Sequence, residues 1–294
     1  PPTFRRQRQM CIRDSLRADP DLFRFHVLPS VGALKVSPKS YAEEHQMRKE
    51  ILGINVMMEH HLFDIRGYNV PLQPQYDKLL GLILNKPLES IHPLLDMLNV
   101  KYILAAEPVD LPDLTYVSDG LKTSKLYQNN HRSPRAFLVK QFQVLNTDQE
   151  FANAFNELTF DPRTTILLNR EPTRFLELQK TPAIPALESA VRVITYENNR
   201  MVLEVTTPAA ALLFMSEAYY PGWRAYVDGK PEEILRANYA FRAIPVGPGT
   251  HRVEVVMEPL SFKIGLVVTV LTMVLLLAGW VVWDVKRRSR FAKH

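Results

Sequence analysis

The chain has 294 residues, of which 46% are hydrophobic, 23% charged and 10% aromatic, with 22 Pro, 11 Gly, a single Cys and a formal net charge of +5. That length holds one large or two ordinary domains, and the apolar fraction, the low Gly count and the lone Cys11 exclude a disordered chain, a collagen and an internal disulfide scaffold. Charge is segregated: residues 1–17 carry +4 and residues 284–294 another +4, which leaves −3 for everything between, so a basic surface for nucleic acid is not expected.

In chain order, residues 1–20 are basic and aperiodic, unlike the rest of the chain, and are expected to be a non-native or disordered tail in which Cys11 has no role. A short alternating stretch at 23–28 predicts a strand, and the length and charge pattern of 41–52 predict a helix. Residues 64–69, centred on Gly67, read as a loop. Residues 75–84 are amphipathic. A second helical stretch covers 88–98, begun or interrupted at Pro93, and runs into an apolar strand at 100–105. Next come a strand at 135–144, a helix at 147–158 opened by Thr147 and Asp148, and a strand at 164–168. Residues 21–186 thus predict a mixed α/β region, closed by a Pro-bearing linker at 181–185.

The character then changes. Short strands are predicted at 190–196, 201–206, 211–218, 223–227, 234–237, 241–246 and 251–258, separated by Asn198-Asn199, Pro221-Gly222, Asp228-Gly229 and Gly247-Pro248-Gly249. Such turns admit the positive φ of tight hairpins. Alternation of Met201, Leu203 and Val205 with polar neighbours, and of Val253, Val255 and Met257 likewise, predicts an antiparallel β-sandwich over 187–260.

Residues 264–283 contain no charge, and only Gly265, Thr269, Thr272 and Gly279 fall outside the hydrophobic set. At ~1.5 Å per residue they span ~30 Å, the thickness of a bilayer's hydrocarbon core. Trp280 and Trp283 suit a headgroup layer, and five Lys or Arg lie within the next ten residues, so a transmembrane helix at 261–284 with a cytoplasmic basic tail at 285–294 is expected. The bulk would then be extracytoplasmic in a bacterial plasma membrane. Residues 1–17 hold no apolar export segment, so the chain is expected to be the tail of a longer membrane protein. The fold class is α+β: a mixed α/β part, an antiparallel sandwich and one C-terminal membrane helix.

Candidate chemistry is sparse. Glu59-His60-His61 with Asp64 supplies metal-ligand residue types, but not at the spacing of a known compact site, so no metal site is assigned. Four aromatics crowd into residues 219–226: Tyr219, Tyr220, Trp223 and Tyr226. They could stack on sugar rings, or fill the sandwich core with phenols at the rim. Arg66, Tyr68 and Arg135 could meet a phosphate through guanidinium forks, or form internal ion pairs.

The chain resembles the bacterial membrane protein YfhO family. The resemblance rests on Asp64-Ile65-Arg66-Gly67-Tyr68-Asn69, on residues 94–104 (LLDMLNVKYIL), on Ser133-Pro134-Arg135-Ala136-Phe137, on residues 219–230 (YYPGWRAYVDGK), on Arg236-Ala237-Asn238 and on residues 245–251. It implies a multi-pass glycosyltransferase of the C type that uses polyprenyl-phosphate-linked sugar on the outer face, in Gram-positive relatives to modify lipoteichoic acid. It also implies a catalytic acidic residue in an early loop that would precede this sequence, and a divalent cation in the full-length protein. No catalytic residue and no cofactor are therefore assigned here. Expected partners are the bilayer, the lipid-linked sugar and a cell-surface glycopolymer, with no nucleic acid. The alternative is a non-enzymatic, membrane-anchored carbohydrate-binding or envelope-assembly module.

Overall fold

A computed structural model describes residues 16, 19–28, 62–66, 73–84, 86–119, 124–157 and 160–291, with side chains described as far as 283 apart from that of residue 83. The helix expected at 41–52, the Glu59-His60-His61 triplet, the basic start and Tyr68 lie outside the described residues.

Three sheets organise the body. The first has the order β2-β1-β3-β5-β4, built from β1 (Arg24–Val27), β2 (Phe63–Asp64), β3 (Val100–Ala105), β4 (Leu114–Asp119) and β5 (Lys125–Asn129). Its β1 is parallel to both β2 and β3, and β5 is antiparallel to β3 and β4. Two helices lie between β2 and β3 in sequence, α1 (Pro74–Leu84) and α2 (Leu88–Met97). The second buries Leu88, Ile91, Leu94 and Leu95, the i, i+3, i+6 and i+7 stripe of a core-facing helix, and keeps Pro93 inside.

The second sheet has six strands in the order β6-β11-β15-β14-β8-β7. These are β6 (Ala136–Val139), β7 (Gln141–Val144), β8 (Thr165–Leu168), β11 (Ala211–Ala218), β14 (Leu235–Ala237) and β15 (Phe241–Val246). The single strand expected at 135–144 is thus two, parted at Lys140 and lying at opposite edges, so the sheet curls until one residue joins its ends. Between the parallel β7 and β8 runs α3 (Asp148–Asn156). Its N-terminus is a capping box: Glu150 N–H donates to Thr147 Oγ1 at 3.2 Å, and the Glu150 carboxylate accepts from Thr147 N–H at 3.0 Å. A short α4 (Thr173–Leu178) buries Phe175.

The third sheet, β13-β12-β16-β10-β9, is wholly antiparallel. It comprises β9 (Ala190–Glu197), β10 (Arg200–Thr207), β12 (Trp223–Val227), β13 (Lys230–Glu232) and β16 (Gly249–Met257). The Asp228-Gly229 turn has φ of 52° and 77°, the paired positive values of a tight hairpin. The sandwich is real, with Met201, Leu203, Val205, Val253 and Val255 facing Leu213, Met215, Ile244 and Val246. Its second layer draws β6, β7 and β8 from before residue 187. That layer is covered on its back by the helices, where Leu212, Phe214, Phe241 and Ala243 meet Leu79, Leu95, Phe151 and Phe175. Both faces of β11 are therefore buried, which explains its unbroken apolar run of Ala211 to Met215.

The last helix, α5 (Leu260–Phe291), leaves the body directly from β16. Its stretch Leu260–Trp283 has a mean hydropathy of 2.5, and none of that window is buried against protein. It is long and apolar enough to cross a membrane. The hydroxyls of Thr269 and Thr272 donate to the carbonyls of Gly265 and Val268, both at 2.8 Å, which satisfies them without water.

Buried His26 in β1 has no hydrogen-bond partner at either ring nitrogen among the described residues. Burial first, then the charge of Arg66, pushes its pKa down to about 3. The unfolded imidazole takes a proton near pH 6.5 and the folded one does not, so stability is full above pH 6.5 and falls as pH drops towards 3. At ~1.4 kcal/mol per pH unit at most, lowering pH from 6.5 to 5 should cost roughly 2 kcal/mol. Urea unfolding of wild type and His26→Leu at both pH values tests this; an equal acid loss in the variant would refute it.

A candidate anion and glycan site beside the membrane helix

The sandwich and the first sheet meet at a cluster of buried charge. At the end of β11, Glu217 Oε1 accepts from Arg135 Nε at 2.6 Å and from the Tyr196 hydroxyl at 3.1 Å, with Arg24 Nη2 at 3.6 Å. Arg135 Nη2 donates to the same tyrosine oxygen. The Arg135 guanidinium lies 5.2 Å from the Phe63 ring centroid and 5.1 Å from that of Tyr196, a cation held between two aromatic rings. Arg24 reaches across from β1, donating to Leu98 O at 2.9 Å, Ser216 Oγ at 3.0 Å and Ser216 O at 2.6 Å. On β15, Arg242 stacks 3.8 Å above the Trp223 ring and donates from Nε to Ala218 O at 2.9 Å.

This geometry sets the electrostatics. Burial opposes ionisation of Glu217, but Arg135 and Arg24 outweigh it and hold the carboxyl below its usual range. Burial and then Arg135 push Arg24 down, against the pull of Glu217. Arg242 falls to about 10, through burial that Glu217 only partly offsets. Arg135 is pushed up and Arg242, at about 10, stays protonated at neutral pH, as guanidinium groups do in proteins generally. Over the cluster opens a cavity of about 160 Å³, lined among others by Phe63, Tyr196, Asn198, Glu217, Trp223 and Arg242.

The residues singled out by sequence are scattered through the fold. Arg135 lies in the cluster, and Trp223 lines the cavity. Arg66 instead forms a local fork with Asp64, at 2.9 and 3.3 Å. Tyr219 is half-buried, its N–H donating to Ala240 O, and Tyr220 is exposed. Trp223 shares the inward face of β12 with Ala225 and Val227. Tyr226, one place out of phase, points to the other face. The four rings are not gathered on one surface, and Arg242 covers one face of Trp223. Gly222, at φ +111°, lets the aromatic turn lie against the start of α5, because a Cβ there would come within 3.3 Å of Pro259.

Sequence reasoning missed Arg24, Phe63, Tyr196, Glu217 and Arg242. A signal existed for three of them, each a lone charge in a short apolar strand: RFHV, ALLFMSEA and FRAIPV. The motif residues Asp96 and Asn99 prove to be joints. Asp96 accepts from Asn129 Nδ2 at 2.6 Å and contacts His131 Nδ1 at 2.9 Å, while Asn99, at φ 60°, donates to Ser133 O at 2.8 Å. They dock the segment before Arg135 onto the end of α2. A larger cavity of about 660 Å³ between α4 and β13 is lined by charges already paired, such as Arg170 with Glu233 and His251 with Asp228. Among the described residues no group of three or more His, Cys, Asp or Glu could hold a metal ion, so no step is assigned to a cation here.

Fold and site together define a membrane-associated α+β protein with a charged aromatic cavity beside its membrane helix. Residues 168–269 match the family model for bacterial membrane protein YfhO, a stretch running from β8 through the sandwich into α5, and over it the resemblance read from the motifs holds. No curated protein and no solved structure matches the chain.

Proposed function

We propose that this chain is the C-terminal extracytoplasmic region and last membrane helix of a C-type glycosyltransferase. In this reading the whole enzyme takes sugar from a polyprenyl-phosphate donor and adds it to a cell-surface polymer such as lipoteichoic acid, with the catalytic loop elsewhere in the protein. The present residues would hold the acceptor or cover the membrane-embedded site. The observation that carries the proposal is the family match across the junction of sandwich and membrane helix. The excess of Lys and Arg after Trp283 supports a cytoplasmic C-terminus and an outward-facing body.

Two measurements test it. Protease added to intact cells should cut the body and leave α5 with the membrane; full protection would reverse the topology. Deleting the gene should lower the sugar content of the surface polymers, and unchanged polymers in every fraction would sink the transferase reading. A second reading, a non-enzymatic carbohydrate-binding module, is favoured by one specific feature: Phe63, Tyr196 and Trp223 line the same cavity as Glu217 and Asn198. Under it, deletion would leave polymer sugars intact while the purified chain still binds envelope glycans.

A further inference from the structure

We propose that the cavity over Glu217 is a binding site for a phosphate group at the membrane surface, with Arg242 as its donor. This stands on the geometry of the cluster and is unaffected if sugar transfer proves to be wrong.

The first argument is charge balance. Arg24, Arg135 and Arg242 are 8%, 5% and 4% exposed, and Glu217 is the carboxylate whose charge acts on all three. Even with Glu197, which also lines the cavity, counted beside Glu217, the three cations leave one positive charge uncompensated among the described residues. A buried charge without a counter-charge costs several kcal/mol, and a bound phosphate would remove that deficit.

The second is open hydrogen-bonding capacity. Arg242, which lines the cavity, makes no hydrogen bond from either terminal nitrogen among the described residues once its Nε has bonded Ala218 O, and in the same cluster Arg135 Nη1 is buried with no partner. Buried donors are rarely left unmade. The cavity of about 160 Å³ has room for a phosphate, a group only a few water molecules in size.

The third is position. Trp223 pairs with Met257, and Gly222 O accepts from Glu258 N at 2.7 Å, with α5 starting at Leu260. Three residues of extended chain are ~10 Å, so the cavity opens close to the layer where lipid phosphates lie. The phosphate has two sources, a lipid headgroup or a soluble phosphate ester.

The test uses the full chain in an uncharged, phosphate-free detergent. Inorganic phosphate should raise the unfolding temperature saturably, beyond chloride at equal ionic strength. Arg242→Gln should weaken binding roughly tenfold or more, the loss of one charge-assisted fork. Glu217→Gln, which removes the competing anion, should unfold more easily without phosphate yet bind it several-fold tighter. A purely structural ion-pair cluster predicts the destabilisation without the tightening. Micelles doped with phosphatidylglycerol separate the sources: stabilisation that Arg242→Gln lacks assigns a lipid headgroup, and a response to free phosphate alone assigns a soluble ester. Absence of any phosphate effect in wild type, or equal binding by wild type and both variants, overturns the proposal.

Discussion

Replacing Arg24 with Met should destabilise the body by about 3–5 kcal/mol, because the loss is one of partners rather than of bulk. Methionine fills most of the space of the arginine stem. It offers nothing to Leu98 O, Ser216 O or Ser216 Oγ, the three acceptors that Arg24 serves. Each buried acceptor left bare costs about 1–3 kcal/mol. Two effects oppose one another as well: the variant relieves repulsion of Arg135, and it withdraws a counter-charge from Glu217. The hydrogen-bond loss is larger than either, since Arg24 lies 3.6 Å from Glu217 while its bonds to Ser216 and Leu98 are 2.6–3.0 Å. Lysine should rescue little, because one ammonium does not reproduce two fork arms serving the end of α2 and β11. Equilibrium urea unfolding of the detergent-solubilised chain measures the difference; a loss below about 1 kcal/mol would show that these contacts are dispensable.

Phe241→Ala should cost a similar amount, about 3–5 kcal/mol, by a different route. Phe241 is fully buried and meets Tyr76 of α1 and Phe214 of β11 edge-on, each at 6.0 Å between ring centroids. With Leu79 it seats α1 on the six-stranded sheet, while the Tyr76 hydroxyl donates to Ile65 O at 2.7 Å beyond it. Alanine leaves a cavity walled by rigid rings that do not collapse into it. Phe241→Leu should lose only about 1–2 kcal/mol by keeping most of the volume. Hydrogen exchange gives a second readout: amides of α1 should lose protection before those of β10 and β16. Uniform loss across both would show that the helix layer and the sandwich unfold as one.

Much of this architecture is legible without coordinates. The strands expected at 201–206 and 251–258 fall within two residues of where hydrophobic alternation and turn residues place them, because a sheet buried on one face imposes period two on its sequence, while 211–218 and 241–246 are legible as apolar runs between turns. The capping residues of α3 are legible for the same local reason. What fails is whatever depends on distant partners. β4 is an edge strand with both faces largely exposed, so its residues LTYVSD carry no core signature. α4 spans six residues with one buried side chain, too short for a periodic pattern. The split of 135–144 at Lys140 reflects the curl of a sheet, which no local pattern encodes.

The same division runs through the site. Arg135 and Trp223 are visible in sequence as unusual residue types, and Arg66 as a residue two places from its carboxylate. The cluster that unites Arg24 with Ser216 joins positions 192 apart, a proximity created by packing alone. Lone charges in apolar strands are the one local hint, and Glu217 and Arg242 both carry it.

The six-stranded sheet also makes this body indivisible. β6 pairs with β11 from Val139 against Leu212 to Ala136 against Met215, and β14 is joined to β8. A protein shortened to begin at residue 187 would keep β11 but strip its neighbour, baring an apolar edge of the kind that recruits strands from other molecules. Gene fusions, deletions and recombination breakpoints between residues 136 and 246 should accordingly yield aggregates, so the ancestry of this region is expected to have moved as a single block.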